Sequence, residues 1–299
     1  MSILTINNLK KSFGEKEVLS NLNLTVPEHS IFGFVGRNGA GKTTTMKAVL
    51  GLLPVDSGEI FVNGEKVAFG KNKTNRMIGY LPDVPEFYPF MTAREYLKLC
   101  GDCMGIEEGA LVDRVEELLI LVGLSSEKSF IKGYSRGMKQ RLGVAQALIG
   151  KPKLLICDEP TSALDPIGRK EILEILLSIK EETTVLFSTH ILSDVERVCT
   201  DVALLEGGEI TLSGKLLDIK KQYASSEYLV KTVDENGKYK ILSAFEKNCI
   251  EENDLLIFSG AEKELYKLLQ FISEEEISLL QIERRETSLE SVFFGGIKK

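Results

Sequence analysis

Residues Gly36-Arg37-Asn38-Gly39-Ala40-Gly41-Lys42-Thr43 fill every fixed position of the phosphate-loop pattern G-x-x-x-x-G-K-[ST]. The apolar run Ile31 to Val35 before it reads as a buried strand, and Thr44 to Leu50 after it reads as a helix that must end before Pro54. That strand–loop–helix setting turns a pattern match into a site. Glycines let the backbone curl until several N–H groups point inward, and the helix N-terminus adds partial positive charge. In such a cradle, built from residues 36–44, Lys42 can reach the β- and γ-phosphates and the Thr43 hydroxyl is placed to ligate magnesium. A glycine-rich turn with a surface lysine is the alternative, but it does not explain why every fixed position is filled. A bound nucleoside triphosphate is expected.

Leu154-Leu155-Ile156-Cys157-Asp158-Glu159 is a short apolar run ending in two carboxylates. A buried strand delivers such a pair at its C-terminal end, where open α/β sheets bind ligands. Side chains alternate along a strand, so the two carboxylates point different ways and can take different tasks. Asp158 suits a magnesium ion, through a water, and Glu159 is the candidate base for an attacking water. An acidic strand-to-loop junction is common by itself; the phosphate loop on the same chain argues against that plain reading here.

Three further segments follow in a telling order. Tyr134-Ser135-Arg136-Gly137-Met138-Lys139-Gln140-Arg141 precedes a helical run, Ser162-Ala163-Leu164-Asp165 follows the Asp-Glu strand, and Phe187-Ser188-Thr189-His190 ends the next apolar run. In this order, over about residues 1 to 215, the chain closely resembles the nucleotide-binding subunit of an ATP-binding cassette (ABC) transporter. Ser135 to Met138 stand where its L-S-G-G-Q signature lies, Ser162 to Asp165 match its D-loop, and His190 matches its switch histidine. The resemblance implies ATP and Mg2+ as ligands, with Ser135 and Gly137 capping the γ-phosphate bound by a second subunit. One cassette per chain then implies a head-to-tail homodimer. It also implies that His190 contacts the γ-phosphate and that Phe13 stacks on adenine. Ser-Arg-Gly-Met would otherwise be an ordinary helix cap, and a lone histidine or an early phenylalanine would be merely bonded or packed. His29, in a polar turn, is assigned no chemistry.

Two segments depart from that family pattern, at three positions. Asp83 stands where a glutamine usually contacts magnesium and the water, a change in both reach and charge. The signature carries Arg136 for its first glycine and Met138 for its glutamine, and neither change removes the phosphate-binding donors.

Lys and Arg number 37 against 44 Asp and Glu, a net charge of −7 that argues against a general nucleic-acid-binding surface. No apolar run approaches the roughly 20 residues that span a bilayer, and the first residues lack the regions of a signal peptide. The pore of a transporter would therefore be a separate permease chain, and this subunit would be cytoplasmic, held at the inner face of the membrane by it. Five scattered cysteines read as reduced thiols. Cys100-Gly101-Asp102-Cys103 is a C-x-x-C pattern, yet it lies in a helical stretch without a second pair, which favours two half-buried helix cysteines over a redox or zinc site.

The expected fold is α/β, a P-loop NTPase of ABC type. It has a parallel-strand core, an antiparallel β subdomain within about residues 1 to 75 made of short β-rich segments, and a helical subdomain at about 85–150. This nucleotide-binding domain covers 1–215, and an accessory α/β domain covers 216–299. Alternating parallel strands and helices are expected from 153 to about 205, a turn, short strand and turn at 207–214, and a connecting helix at 216–222. In the tail, 227–233, 239–242, 255–259 and 277–284 read as strands, and 261–272 and 288–294 as helices. Thr287-Ser288-Leu289-Glu290-Ser291-Val292-Phe293 resembles the ending of prokaryotic exporter ATPases, with Thr287 to Glu290 also fitting a capping box. The functional expectation is an ATPase that powers an exporter, with membrane helices docking near Asp83 to Phe90. The alternative is a soluble ABC ATPase acting in cluster assembly or on another macromolecular complex.

Overall fold

A computed structural model of the chain describes residues 1–70, 73–223, 226–252, 255–285 and 288–295. They fall into two compact units, Met1–Leu216 and Leu217–Lys299.

The first unit opens with β1 (Ser2–Phe13), β2 (Lys16–Pro27) and β3 (Ile31–Val35), followed by the glycine-rich loop and α1 (Lys42–Val49). Next come β4 (Ser57–Val62), β5 (Glu65–Lys66) and β6 (Ile78–Leu81), then the helical region α2 (Ala93–Met104), α3 (Glu108–Leu121) and α4 (Arg136–Leu148). The unit closes with β7 (Leu154–Asp158), α5 (Pro166–Ile179), β8 (Thr184–Thr189), α6 (Leu192–Val198), β9 (Asp201–Glu206) and β10 (Glu209–Lys215). Its antiparallel sheet has the order β2-β1-β4-β5, and its central sheet has the order β10-β9-β3-β8-β7-β6. In the central sheet, β9, β3, β8, β7 and β6 are mutually parallel and β10 runs antiparallel at the edge. Every residue of β3, β7 and β8 is buried, which is why these strands read as unbroken apolar runs. One core joins the inner face of the antiparallel sheet (Leu4, Ile6, Leu24) to Met46 of α1 and to Phe32, Phe34, Ile156 and Leu186 of the central sheet.

The architecture is the expected one, with local corrections. The short β segments expected near the N-terminus are two strands of twelve residues each. Their alternation is broken because the β1–β2 register shifts between Ile6 and Leu9 and again beyond, and Asn8 sits at φ 48°; bulges of this kind put two consecutive residues on one face. β10 runs on through Lys215, so the second turn expected at 213–214 is absent. Thr92 begins α2 with a reciprocal capping box, its hydroxyl accepting from Glu95 N and Glu95 accepting from Thr92 N. On that helix Cys100 is half-buried, as expected, and Cys103 is exposed, which it was not. All five cysteines are free thiols.

The chain passes through α7 (Leu216–Gln222) into the second unit. That unit contains β11 (Glu227–Thr232), α8 (Glu235–Ala244), β12 (Cys249–Glu252), β13 (Leu255–Ser259), α9 (Glu262–Glu274), β14 (Leu279–Arg284) and α10 (Leu289–Gly295). Its four strands form an antiparallel sheet of order β12-β13-β11-β14. Val230, Ile241, Leu256, Phe258, Leu268 and Ile272 make its core. The strand expected at Tyr239 to Leu242 is instead part of α8. Asp234 accepts from Gly237 N at 2.7 Å and caps that helix, and Ile241 buries against the sheet rather than within it. β12 was not anticipated, because Cys249-Ile250-Glu251-Glu252 buries one residue in four. At the C-terminal helix, Thr287 lies outside the described residues, and Ser288 accepts from Ser291 N at 3.2 Å.

Candidate nucleotide site

The parallel strands bring their carboxyl ends together. Val35 of β3 pairs with Thr189 of β8, and Asp158 of β7 pairs with Ser188 of β8. The glycine-rich loop leaves the end of β3 and enters α1 through Gly41 at φ +113°, a conformation closed to residues with a Cβ, which would also strike Leu19 at 2.8 Å. Gly36 starts the loop so close to β9 that a Cβ would lie 2.8 Å from the Leu205 carbonyl. Arg37, Asn38 and Gly39 are exposed at the loop tip, Ala40 and Thr44 are half-buried, and Lys42 is buried.

Two linked clusters form there. In the first, Thr43 Oγ1 donates to Asp158 Oδ2 at 2.7 Å and Ser188 Oγ donates to Asp158 Oδ1 at 2.6 Å. In the second, Lys42 Nζ lies 3.1 Å from Glu159 Oε1 and donates to the Gly36 and Arg37 carbonyls at 2.7 and 3.4 Å. His190 Nδ1 stands 2.9 Å from Glu159 Oε2, and with an ionised carboxylate as partner that nitrogen is the donor. The Lys42 side chain is 6 % exposed, so its charge has to be matched by anions or carbonyl dipoles wherever it sits. Glu159 itself adopts φ 49°, a conformation that costs a non-glycine residue on the order of 1–3 kcal/mol. Thr189 Oγ1 accepts from Ile191 N at 2.9 Å, shaping the bend that presents His190.

Thr43 and Asp158 are hard oxygen donors side by side, which fits magnesium. Among the described residues no group of three or more His, Cys, Asp or Glu could hold a metal. That also fits, since magnesium in nucleotide sites takes one or two protein ligands and completes its octahedron with phosphate oxygens and water. Asp83 follows β6 and is exposed, and it makes no hydrogen bond to Thr43 or Asp158. Partial desolvation raises its pKa; nearby Arg136 pulls it down, while Asp158 and Glu159 add to the rise. Tyr80 is pushed up to about 12 by burial and by Asp158, and burial also pushes the Cys157 thiol up. Tyr80 and Cys157 therefore keep their protons at neutral pH.

Ser135, Gly137 and Asp165 meet elsewhere. Ser135 Oγ accepts from Met138 N at 3.2 Å and caps α4; Asp165 accepts from Gly168 N at 3.1 Å and caps α5, which starts at Pro166. With Arg136, they line one open cavity of ≈ 400 Å³, and none of residues 36–43 lines it. Phe13 joins none of these bonds; it is 50 % exposed at the end of β1, with Lys11 Nζ 5.3 Å from its ring centre. His29 bonds the Glu181 carbonyl at 3.0 Å.

Two groups of residues escaped the sequence reading. Ser188 is one; its signal is a hydroxyl that follows the apolar run of β8, two residues before His190. The other is a largely buried triad in which Thr161 and Arg169 both donate to Asp194, at 2.7 and 2.6 Å. It ties together the segments that follow Glu159, Asp165 and His190.

Residues 19–162 match the ABC transporter family. The ABC transporter ATP-binding protein YxlF of Bacillus subtilis (strain 168), described as uncharacterized, is 44% identical over 227 residues, 76% of this chain and 75% of that protein. The bacitracin transport ATP-binding protein BcrA of Bacillus licheniformis is 36% identical over 302 residues, 98% of this chain and 96% of that protein. A solved structure titled as the ATP binding subunit of an ABC transporter has a TM-score of 0.67 and 32% identity, covering 74% of this chain and 93% of that one.

Proposed function

This chain belongs to the ABC transporter family as an ATP-binding subunit, and from that premise we propose that it hydrolyses Mg-ATP between two copies of itself to drive export of an antibiotic-type molecule through a separate permease. Members of the family are ATPases coupled to transport. The observation that carries the shared-site reading is the separation of donors within one chain. Lys42, Thr43, Asp158, Glu159 and His190 gather at the strand ends, while Ser135, Gly137 and Asp165 line a cavity to which the phosphate loop contributes nothing. Each half lacks what the other offers, and a head-to-tail pair supplies both.

In this reading residues 36–44 wrap the phosphates with backbone N–H groups, and Phe13 packs on the base. Lys42 exchanges Glu159 for phosphate oxygens. Glu159, released from that ion pair, accepts the proton of the attacking water, and His190 stabilises charge developing on the γ-phosphate. Thr43 and Asp158 would hold magnesium, which would supply charge neutralisation at the phosphates. Asp83 bears on the water and metal through its field, at the head of the segment running to Phe90 that signals to the permease. Nucleotide favours the closed pair and hydrolysis removes that bias, so each cycle shifts a two-state element. No helix of the described residues is long and apolar enough to cross a membrane. In this reading the subunit works at the cytoplasmic face, held there by its permease. The likeness to BcrA along nearly the whole chain supports antibiotic-type cargo.

Mixing Lys42→Ala chains with Ser135→Arg chains tests the shared site. Both defects fall in one composite site and the other is left intact, so activity should reappear on mixing. Mixed pairs that form and stay inactive would overturn the arrangement.

A further inference from the structure

Asp158 ends β7 and Glu159 follows it, and one side chain of the neighbouring strand grips both. Ser188 is completely buried. Its hydroxyl donates to Asp158 Oδ1 at 2.6 Å and accepts the Glu159 N–H at 3.0 Å. The same N–H reaches the Ser188 carbonyl at 3.2 Å. The other oxygen of Asp158 is held by Thr43, so two hydroxyls fix the plane of that carboxylate from its two sides. Two residues further along the chain, His190 holds the Glu159 side chain. The end of β8 thus fixes a carboxylate on one side, and both the backbone and the side chain of its neighbour on the other.

Resting on the ATPase reading above, we propose that Ser188 is a positioning residue that sets Asp158 for the metal-bound nucleotide and secures the left-handed backbone of Glu159. A carboxylate held by one partner can turn about its own axis; a second bond on the other oxygen removes that freedom. Alanine or valine at this position would leave Asp158 Oδ1 without its partner in a dry strand end, where the loss is felt most. Serine supplies the hydroxyl in the smallest volume, at a place where every residue of β8 is buried.

The test is metal binding, read separately from turnover. In EDTA, Ser188→Ala should bind ATP within about twofold of the unaltered protein, because Lys42 and the loop are untouched. With ATP bound, its affinity for Mn2+, read by electron paramagnetic resonance, should fall about tenfold or more, the worth of one hydrogen bond to a charged group. Ser188→Thr, which keeps the hydroxyl, should recover that affinity. A folded Ser188→Ala protein with Mn2+ affinity within twofold of the unaltered chain would overturn the proposal. If the alanine variant does not fold, Ser188→Cys, a similar shape with a weak donor, should bind Mn2+ with intermediate affinity, and unaltered affinity there would overturn it equally. Failure of the unaltered protein to bind ATP in EDTA would instead overturn the ATPase reading and this proposal with it.

Discussion

The two units of this chain use strands in opposite ways. In the first, β3, β7 and β8 are buried along their whole length, and the polar side chains at their ends bind one another: Asp158 with Thr43 and Ser188, Glu159 with Lys42 and His190. In the second, β12 and β14 are largely open, and the ion pairs reach the surface: both partners do in Lys240–Glu275 and Arg285–Glu227, and the carboxylates Glu235 and Glu251 do where they meet the buried Lys238. Surface pairs of that kind contribute about 0–1 kcal/mol each. Removing one partner from a buried pair costs far more, because the other is left uncompensated. Single residues should therefore decide the chemistry of the first unit, and packing alone should decide the second.

The sharpest way to break that contrast pairs two variants. Glu159→Gln should retain ATP binding and lose about 10²–10⁴-fold in hydrolysis, on the order of 3–5 kcal/mol of barrier. Leu268→Ala, at the centre of the second core, should destabilise that unit by about 2–5 kcal/mol and leave turnover at 25 °C within twofold. Turnover assays beside urea denaturation followed by hydrogen exchange separate the two effects. Near-normal turnover in Glu159→Gln would remove the base from its proposed role, and a collapse of turnover in Leu268→Ala would show that the units are energetically bound together.

The same contrast decides how much of the molecule could be read in advance. The phosphate loop, the Asp158-Glu159 strand and the buried parallel strands were legible, because a fully buried strand has little choice but an apolar run and a phosphate loop has little choice of residues. The tail was read less well. Tyr239 to Leu242 is too short a run to tell helix from strand, and the deciding contact, Asp234 with Gly237 N, lies outside it. Ser188 was invisible as a site residue because serine is common, and its role depends on the register that sets it against Asp158. Glu159 gave no sign of its φ of 49°, since a left-handed turn at a non-glycine residue is imposed by its surroundings. Asp83 and Arg136 read as two separate departures from the family pattern. Their mutual electrostatic influence makes them partial compensation for each other.

A smaller effect sharpens the comparison by holding local chemistry constant. Ser135 caps α4 and Ser288 caps α10, each accepting a backbone N–H at 3.2 Å. Replacing either by alanine should cost about 1 kcal/mol of stability. Only Ser135→Ala should also lower ATP turnover, by tenfold or so, because that hydroxyl is proposed to serve the partner's γ-phosphate as well as its own helix. Equal turnover in the two variants would reduce Ser135 to a cap.

The smallest expected effect concerns Asp83. Its folded-state pKa is raised above the ordinary 3.8, by desolvation first, with Asp158 and Glu159 adding and Arg136 opposing. A carboxyl with a raised folded pKa binds its proton more readily in the folded chain than in the unfolded one. Its charged form therefore detracts from stability at neutral pH, and the penalty is relieved as pH falls through the raised value. Asp83→Asn should accordingly be slightly more stable than the unaltered protein at pH 7, within the roughly 0.5 kcal/mol usual for exposed positions. That gain should shrink on acidification and vanish once the native carboxyl is protonated. Denaturation midpoints of both proteins between pH 7 and pH 4 would show the two curves converging toward acid. In an Arg136→Gln background the larger opposing influence is gone and only the weaker one of His190 is left, so the gain from Asp83→Asn should be larger at pH 7 and should begin to fade at a higher pH on acidification. If Asp83→Asn were instead destabilising at pH 7 and neutral in the Arg136→Gln background, attraction to Arg136 would outweigh both desolvation and the two carboxylates. The paired departures would then be a stabilising ion pair rather than a partial cancellation.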